Sequence, residues 1–116
     1  MKNQKTGEYG EVLAKEYLEK LEHTIVTTNF RYKKLGEIDI VSKKDGVLHF
    51  VEVKTRKNDN YGYPFEAVNL KKLAKIIKVA EVFRDQYNFT SLNYRFDIVS
   101  ITLNPKKIEY FENITL

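Results

Sequence analysis

The chain has no cysteine and no tryptophan, one methionine, two prolines and five glycines in 116 residues. Without cysteine there is neither a disulfide framework nor a thiolate metal site, so a reducing compartment is the natural setting. Glycine and proline are too sparse to mark a flexible linker, and no repeat or low-complexity tract appears. One domain spanning residues 1–116 is therefore expected. No apolar run approaches the roughly 18 residues that would cross a bilayer. The opening MKNQKTGEYGEV lacks the apolar segment of a secretory signal. The expectation is a cytoplasmic protein with no membrane partner. Apolar residues make up 42% of the chain, and a chain of this length buries roughly two thirds of its unfolded surface, so it can fold without covalent staples.

Charge is plentiful instead. Twenty Lys and Arg against sixteen Asp and Glu leave a formal +4, which favours a polyanionic partner such as nucleic acid. Lysine is also ordinary surface solvation, so the placement of the charges matters more than their sum.

Apolar periodicity supplies the elements. From about Gly7 to Glu22, the residues Gly10, Leu13, Ala14, Tyr17, Leu18 and Leu21 form one helical stripe. HTIVTTNFRY is β-branched and alternating, a first strand. GEIDIVS and VLHFVEVKT follow as a hairpin through Asp45-Gly46, a dipeptide suited to a type I′ turn because both central residues need positive φ. RKNDNYGYPFEA, with Gly62 and Pro64, reads as a loop. Leu73, Ile76, Ile77, Ala80, Phe83 and Tyr87 mark a long amphipathic helix whose far side carries Lys71, Lys75 and Lys78. YRFDIVSITL and KIEYFENI close the chain as strands around a turn at Asn104-Pro105. The order αβββαββ predicts an α/β fold with a mixed sheet flanked by helices, the third and fourth strands joined by a helical crossover.

The hairpin carries the chemistry. With Asp45 and Gly46 central to the turn, Asp39 faces Glu52 and Glu37 faces Lys54. Side chains two apart share a face, so all four groups are expected on one side of the sheet. Carboxylates facing each other at about 5 Å repel by roughly 3 kcal/mol at an effective dielectric near 20. A shared proton, a nearby cation such as Lys54, or a divalent metal between the carboxylates would each offset that. Oxygen-only ligation points to Mg²⁺ or Mn²⁺ rather than zinc. The plainer reading of Glu37 and Lys54 is a cross-strand ion pair, worth under about 1 kcal/mol if exposed. For Asp39 and Glu52 it is a solvated sheet face, but their same-face neighbours Val41, Leu48 and Phe50 are apolar, which looks more like the mouth of a site.

GEIDIV followed after the turn by FVEVKTR resembles the split D…ExK motif of the PD-(D/E)xK nuclease superfamily, with Ile38 where the name-giving proline often stands. Gly7, Glu11, Ala14, Leu18, Asn29, Arg31, Pro64, Ala67-Val68, Lys72, Ala80 and RFDIV extend the likeness. Together they resemble the bacterial YraN-like family, itself similar to archaeal Holliday-junction resolvases. The resemblance runs from about Gly7 to Ile101, with Glu22 standing where glycine would be expected between first helix and first strand.

The resemblance implies a restriction-endonuclease-like fold and a metal-dependent endonuclease acting on DNA, including branched or unpaired structures. The alternative is a non-catalytic nucleic-acid binding module with a vestigial acidic site. Under the first reading Asp39, Glu52 and the main-chain carbonyl of Val53 would hold Mg²⁺ or Mn²⁺. Lys54 would position or help deprotonate the attacking water. Glu11 borders the inward helix face and would join the metal or its water, although periodicity alone equally allows a solvated residue like Glu8, Glu16 or Glu19. Arg31, Arg56, Lys57 and Lys72 are the candidate nucleic-acid contacts, with Tyr61 and Tyr63 able to stack on unpaired bases. A resolvase-like role would imply a homodimer. His49, on the face opposite Glu52, is read as a structural imidazole and His23 as a loop residue. Asp97 is read as an outer acid or a partner for Arg84.

Overall fold

The computed structural model describes residues 4–58 and 70–114. Tyr61, Gly62, Tyr63, Pro64 and Ala67-Val68, with the loop reading that covers them, lie outside the described residues. Helix α1 (Gln4–Lys20) precedes strands β1 (Thr24–Tyr32), β2 (Gly36–Lys44) and β3 (Val47–Arg56). Helix α2 (Leu70–Gln86) leads to β4 (Asn93–Leu103) and β5 (Lys106–Phe111). The order is the one expected from the pattern, and the strands form one sheet in the order β1-β2-β3-β4-β5.

Turn chemistry sets the first register. Asp45 (φ 51°) and Gly46 (φ 76°) both occupy the left-handed region, so the turn is the tight one expected. The ladder from Lys44↔Val47 to Ile40↔Val51 is the predicted pairing. β3 and β4 run parallel from Val47↔Asn93 to Arg56↔Thr102, which requires the crossover that α2 supplies. β4 and β5 are antiparallel around a cis Asn104–Pro105 peptide.

Each helix covers one face of the sheet. On one, Ala14 and Leu18 of α1 pack on Ile40, Val51, Val53, Val99 and Ile101. On the other, Val79, Ala80 and Phe83 of α2 pack on Ile38, Val41, Leu48 and Phe50. β3 feeds both cores, which explains why VLHFV is a nearly unbroken apolar run. Gly10 allows α1 its close approach, because a Cβ there would overlap the Thr55 hydroxyl and lie 2.9 Å from Thr55 Cβ. Leu18 caps the helix end: its carbonyl accepts the His23 N–H and the Glu19 carbonyl accepts the Glu22 N–H, both at 3.0 Å. Glu22 takes φ 70° to allow it, at the position where glycine would be expected.

Two features go beyond the sequence pattern. His23 lies in the loop between α1 and β1, as expected, but is buried: it is 5% exposed, with Nδ1 2.8 Å from Ser42 Oγ and its ring edge-on to His49 at 4.7 Å. Strand alternation also fails in β2, since Ile38 belongs to the α2-side core but Ile40 to the α1-side core. The alternation resets at Asp39, opposite the place where Asn29 of β1 adopts φ 54°.

Candidate functional site

Asp39 stands where the β2–β3 ladder gives out. Ile40↔Val51 is its last cross-strand pair. Just beyond, the Val53 N–H donates to Asp39 Oδ2 at 2.8 Å. The carboxylate is thereby fixed against the backbone of β3, between Glu52 and Lys54 in sequence. Val53 itself is 1% exposed, its side chain committed to the α1-side core.

Glu52 and Lys54 project toward α2, as Phe50 does. Lys54 Nζ lies 3.6 Å from Glu52 Oε1, and Lys72 Nζ reaches the same oxygen from α2 at 3.3 Å. The side chains of Glu52, Lys54 and Lys72 are 17%, 24% and 39% exposed, so the cluster is half out of water. An apolar cavity under Ile38, Phe50, Ile76 and Phe96 borders Glu52, so the apolar face does turn acidic at this end.

Two carboxylates and two ammonium groups thus share the site. Burial pushes the Lys54 ammonium below the ordinary lysine range; a hydrogen bond and the charge of Lys72 push the same way, against the attraction of Glu52 and Asp39. For Lys72, burial by itself would lower the pKa, but Glu52, Lys54 and Asp39 together carry it above the ordinary value. Lys54 is therefore the readier of the two to give up a proton.

The expected Glu37–Lys54 face-sharing does not form. Glu37 Oε2 is held instead by Arg31 Nη2 at 2.8 Å. With its amide oriented to donate, Asn29 lies 2.9 Å from both Glu37 Oε1 and Glu11 Oε1. Glu37 therefore faces α1 while Glu52 and Lys54 face α2, a consequence of the reset at Asp39. The structure brings Asp39, Glu52, Lys54 and Lys72 into one group, and places Glu11 in another with Asn29 and Glu37.

Arg31 is exposed on β1, Arg56 is half-buried at the end of β3, and Lys57 is exposed just beyond it. The Lys57 carbonyl accepts the Asn104 N–H at 3.0 Å. Arg56 and Lys57 thus continue β3 past Lys54 on the same end of the sheet. Asp97 and Arg84 do not pair: Asp97 accepts from Tyr110 and the Asn113 N–H and contacts His49, whereas Arg84 stacks over Tyr94. The bridging position of Asn29 was not foreseen. Its signals are its place among the residues that carry the family likeness and its type, since asparagine is among the non-glycine residues most at ease at positive φ within an otherwise β-branched strand.

Among the described residues, no three His, Asp or Glu side chains gather closely enough to hold a metal. A cation at Asp39 and Glu52 would complete its shell with main-chain oxygen and water. That donor set suits Mg²⁺ or Mn²⁺, which keep several waters and favour oxygen.

Residues 10–101 match the profile of a family described as Uncharacterised protein family UPF0102. The UPF0102 protein of Clostridium acetobutylicum is 43% identical over 108 residues, covering 93% of this chain and 88% of its own length. That of Clostridium beijerinckii is 46% identical over 108 residues, covering 93% and 87%. That of Caldanaerobacter subterraneus is 44% identical over 107 residues, covering 91% and 87%. With matches spanning most of both partners' lengths, this chain belongs to the UPF0102 family.

Proposed function

We propose that this chain is a metal-dependent endonuclease of the PD-(D/E)xK superfamily, hydrolysing phosphodiester bonds in DNA at branched or unpaired structures in the manner of archaeal resolvases. The observation that carries this reading is the Asp39 carboxylate, held by the Val53 N–H beside Glu52 and Lys54. A Mg²⁺ or Mn²⁺ ion, when bound, supplies Lewis acidity toward a phosphoryl oxygen and acidifies a water. Asp39, Glu52 and the Val53 carbonyl are the groups that would hold it, whereas Glu11 sits apart from them against Asn29. Lys54 orients the attacking water and neutralises charge gathering on phosphorus. Lys72 keeps Glu52 in place, and Arg31, Arg56 and Lys57 meet the phosphate backbone. Concerted cutting of two strands would require a homodimer.

One observation favours a second reading, a nucleic-acid binding module that does not cut. Glu52 already has two lysines within 3.6 Å, so its charge is balanced without metal.

The deciding experiment incubates purified protein with duplex, single-stranded, flap and four-way DNA in Mn²⁺. The expected outcome is cleavage of at least one substrate, reduced at least roughly 100-fold in Lys54→Ala. Binding that weakens steeply with salt but leaves every substrate intact would favour the binding module.

A further inference from the structure

The Glu52 oxygen that a cation at Asp39 and Glu52 would need is already shared by two lysines. We propose that Lys72 and a divalent cation compete for Glu52 Oε1, and that the displaced Lys72 ammonium then binds a phosphodiester, so that cation and nucleic-acid strand bind cooperatively. The competition rests on the proposed cation site at Asp39 and Glu52, but not on hydrolysis.

Lys72 Nζ lies 3.3 Å and Lys54 Nζ 3.6 Å from that one oxygen. A tight charge-assisted hydrogen bond is about 2.7–2.9 Å, so neither lysine grips it closely. The two lysines also lie within hydrogen-bond reach of each other, and both are attracted by Asp39. Formally, two positive and two negative groups balance. A divalent cation added to this set would leave two uncompensated positive charges in a cluster half out of water, where like charges repel more strongly than in bulk solvent. One ammonium must therefore withdraw.

Lys72 is the better placed to do so. Its side chain is 39% exposed against 24% for Lys54. It reaches Glu52 from a different element, α2, so rotating its stem carries the charge to water without moving β3. Lys54 stands two residues from Glu52 on β3 and stays beside it. Lys72 thus keeps Glu52 in place only until a cation takes its oxygen. The carboxylates, Lys54 and the cation then sum to one positive charge, with the Lys72 ammonium close by. A phosphodiester, carrying one negative charge per phosphate, is attracted by both. By linkage, whatever affinity the strand gains from the cation, the cation gains from the strand.

The test measures Mn²⁺ binding to the full chain by calorimetry at constant ionic strength, in wild type, Lys72→Met, Lys71→Met and Asp39→Asn. Methionine keeps helix propensity at both lysine positions. The expected result is binding at least fivefold tighter in Lys72→Met than in wild type, unchanged in Lys71→Met and lost in Asp39→Asn. A second arm follows the anisotropy of a labelled phosphorothioate octathymidylate, chosen to resist cutting. Mn²⁺ should tighten its binding at least fivefold in wild type and less than twofold in Lys72→Met. Equal Mn²⁺ affinity in wild type and Lys72→Met overturns the proposal, as does an equal gain in Lys71→Met, which would make the effect one of general charge. Equal tightening of the strand in wild type and Lys72→Met overturns it too. Mn²⁺ binding that is absent from both wild type and Lys72→Met, or undiminished in Asp39→Asn, removes the cation site itself and the competition with it.

Discussion

Asp39 is held by a main-chain donor and surrounded by compensating charge, which changes what its removal should do. Facing carboxylates alone would make Asp39→Asn stabilising. With Val53 N–H bonded to Oδ2 and Lys54 and Lys72 within electrostatic reach, the substitution instead weakens a charged hydrogen bond, at a cost of about 1 kcal/mol in the absence of metal. Millimolar Mn²⁺ should raise the melting midpoint of the wild type and leave that of Asp39→Asn nearly unmoved. Equal rises in both would remove Asp39 from the proposed ligand set. Gly10 is the other residue whose role is steric and sharp. The methyl of Gly10→Ala would meet the side chain of Thr55, one residue from Lys54. α1 must then shift, and overpacking of this kind costs about 1–3 kcal/mol. Chemical denaturation should show that loss, and Gly10→Ser should be worse.

At the level of elements, both helices end in the same way. Glu22 follows α1 and Asn88 follows α2 with φ of 70° and 59°, each followed by a residue whose N–H reaches back into the last turn. Asparagine tolerates that conformation better than glutamate. Glu22→Gly should therefore stabilise by about 1 kcal/mol, a rise of roughly 4 °C in Tm for a domain of this size. An unchanged midpoint would mean that the backbone entropy of glycine in the unfolded chain cancels the relief. The β2–β3 hairpin was legible because Asp-Gly dictates its turn and the turn dictates its register. The reset of alternation at Asp39 was not legible. Ile38 and Ile40 read as one face in sequence, and only their packing against different helices separates them.

Across the whole molecule, a buried polar network ties strands together on the α1 side. His23 contacts Ser42 of β2, His49 of β3 contacts Asp97 of β4, and Asp97 accepts from Tyr110 of β5. Burial, with the charge of His49 next, pushes the His23 imidazole down to about 4. Burial and the Asp97 hydrogen bond push the Tyr110 phenol up. A histidine whose pKa falls on folding binds its proton more readily in the unfolded chain. Its stability contribution is thus full above about 6.5 and is lost as pH falls toward about 4, by about 3 kcal/mol in all. Denaturation midpoints should drop between pH 7 and pH 4.5 in the wild type, and less steeply in His23→Gln. Parallel pH profiles would place the acid sensitivity elsewhere.

Element order, the hairpin register and the helical crossover were all readable in the chain, because periodicity and turn preference act over a few neighbouring residues. The candidate cluster was readable in part: Asp39, Glu52 and Lys54 lie on adjoining strands whose pairing the turn dictates. Only the tertiary structure decided that Lys72 shares Glu52, that Glu37 turns to Arg31 and Asn29, and that His23 is buried against His49. Those outcomes depend on how α1 and α2 settle against opposite faces of the sheet. That packing is chosen by the whole core at once, and no short stretch of residues encodes it.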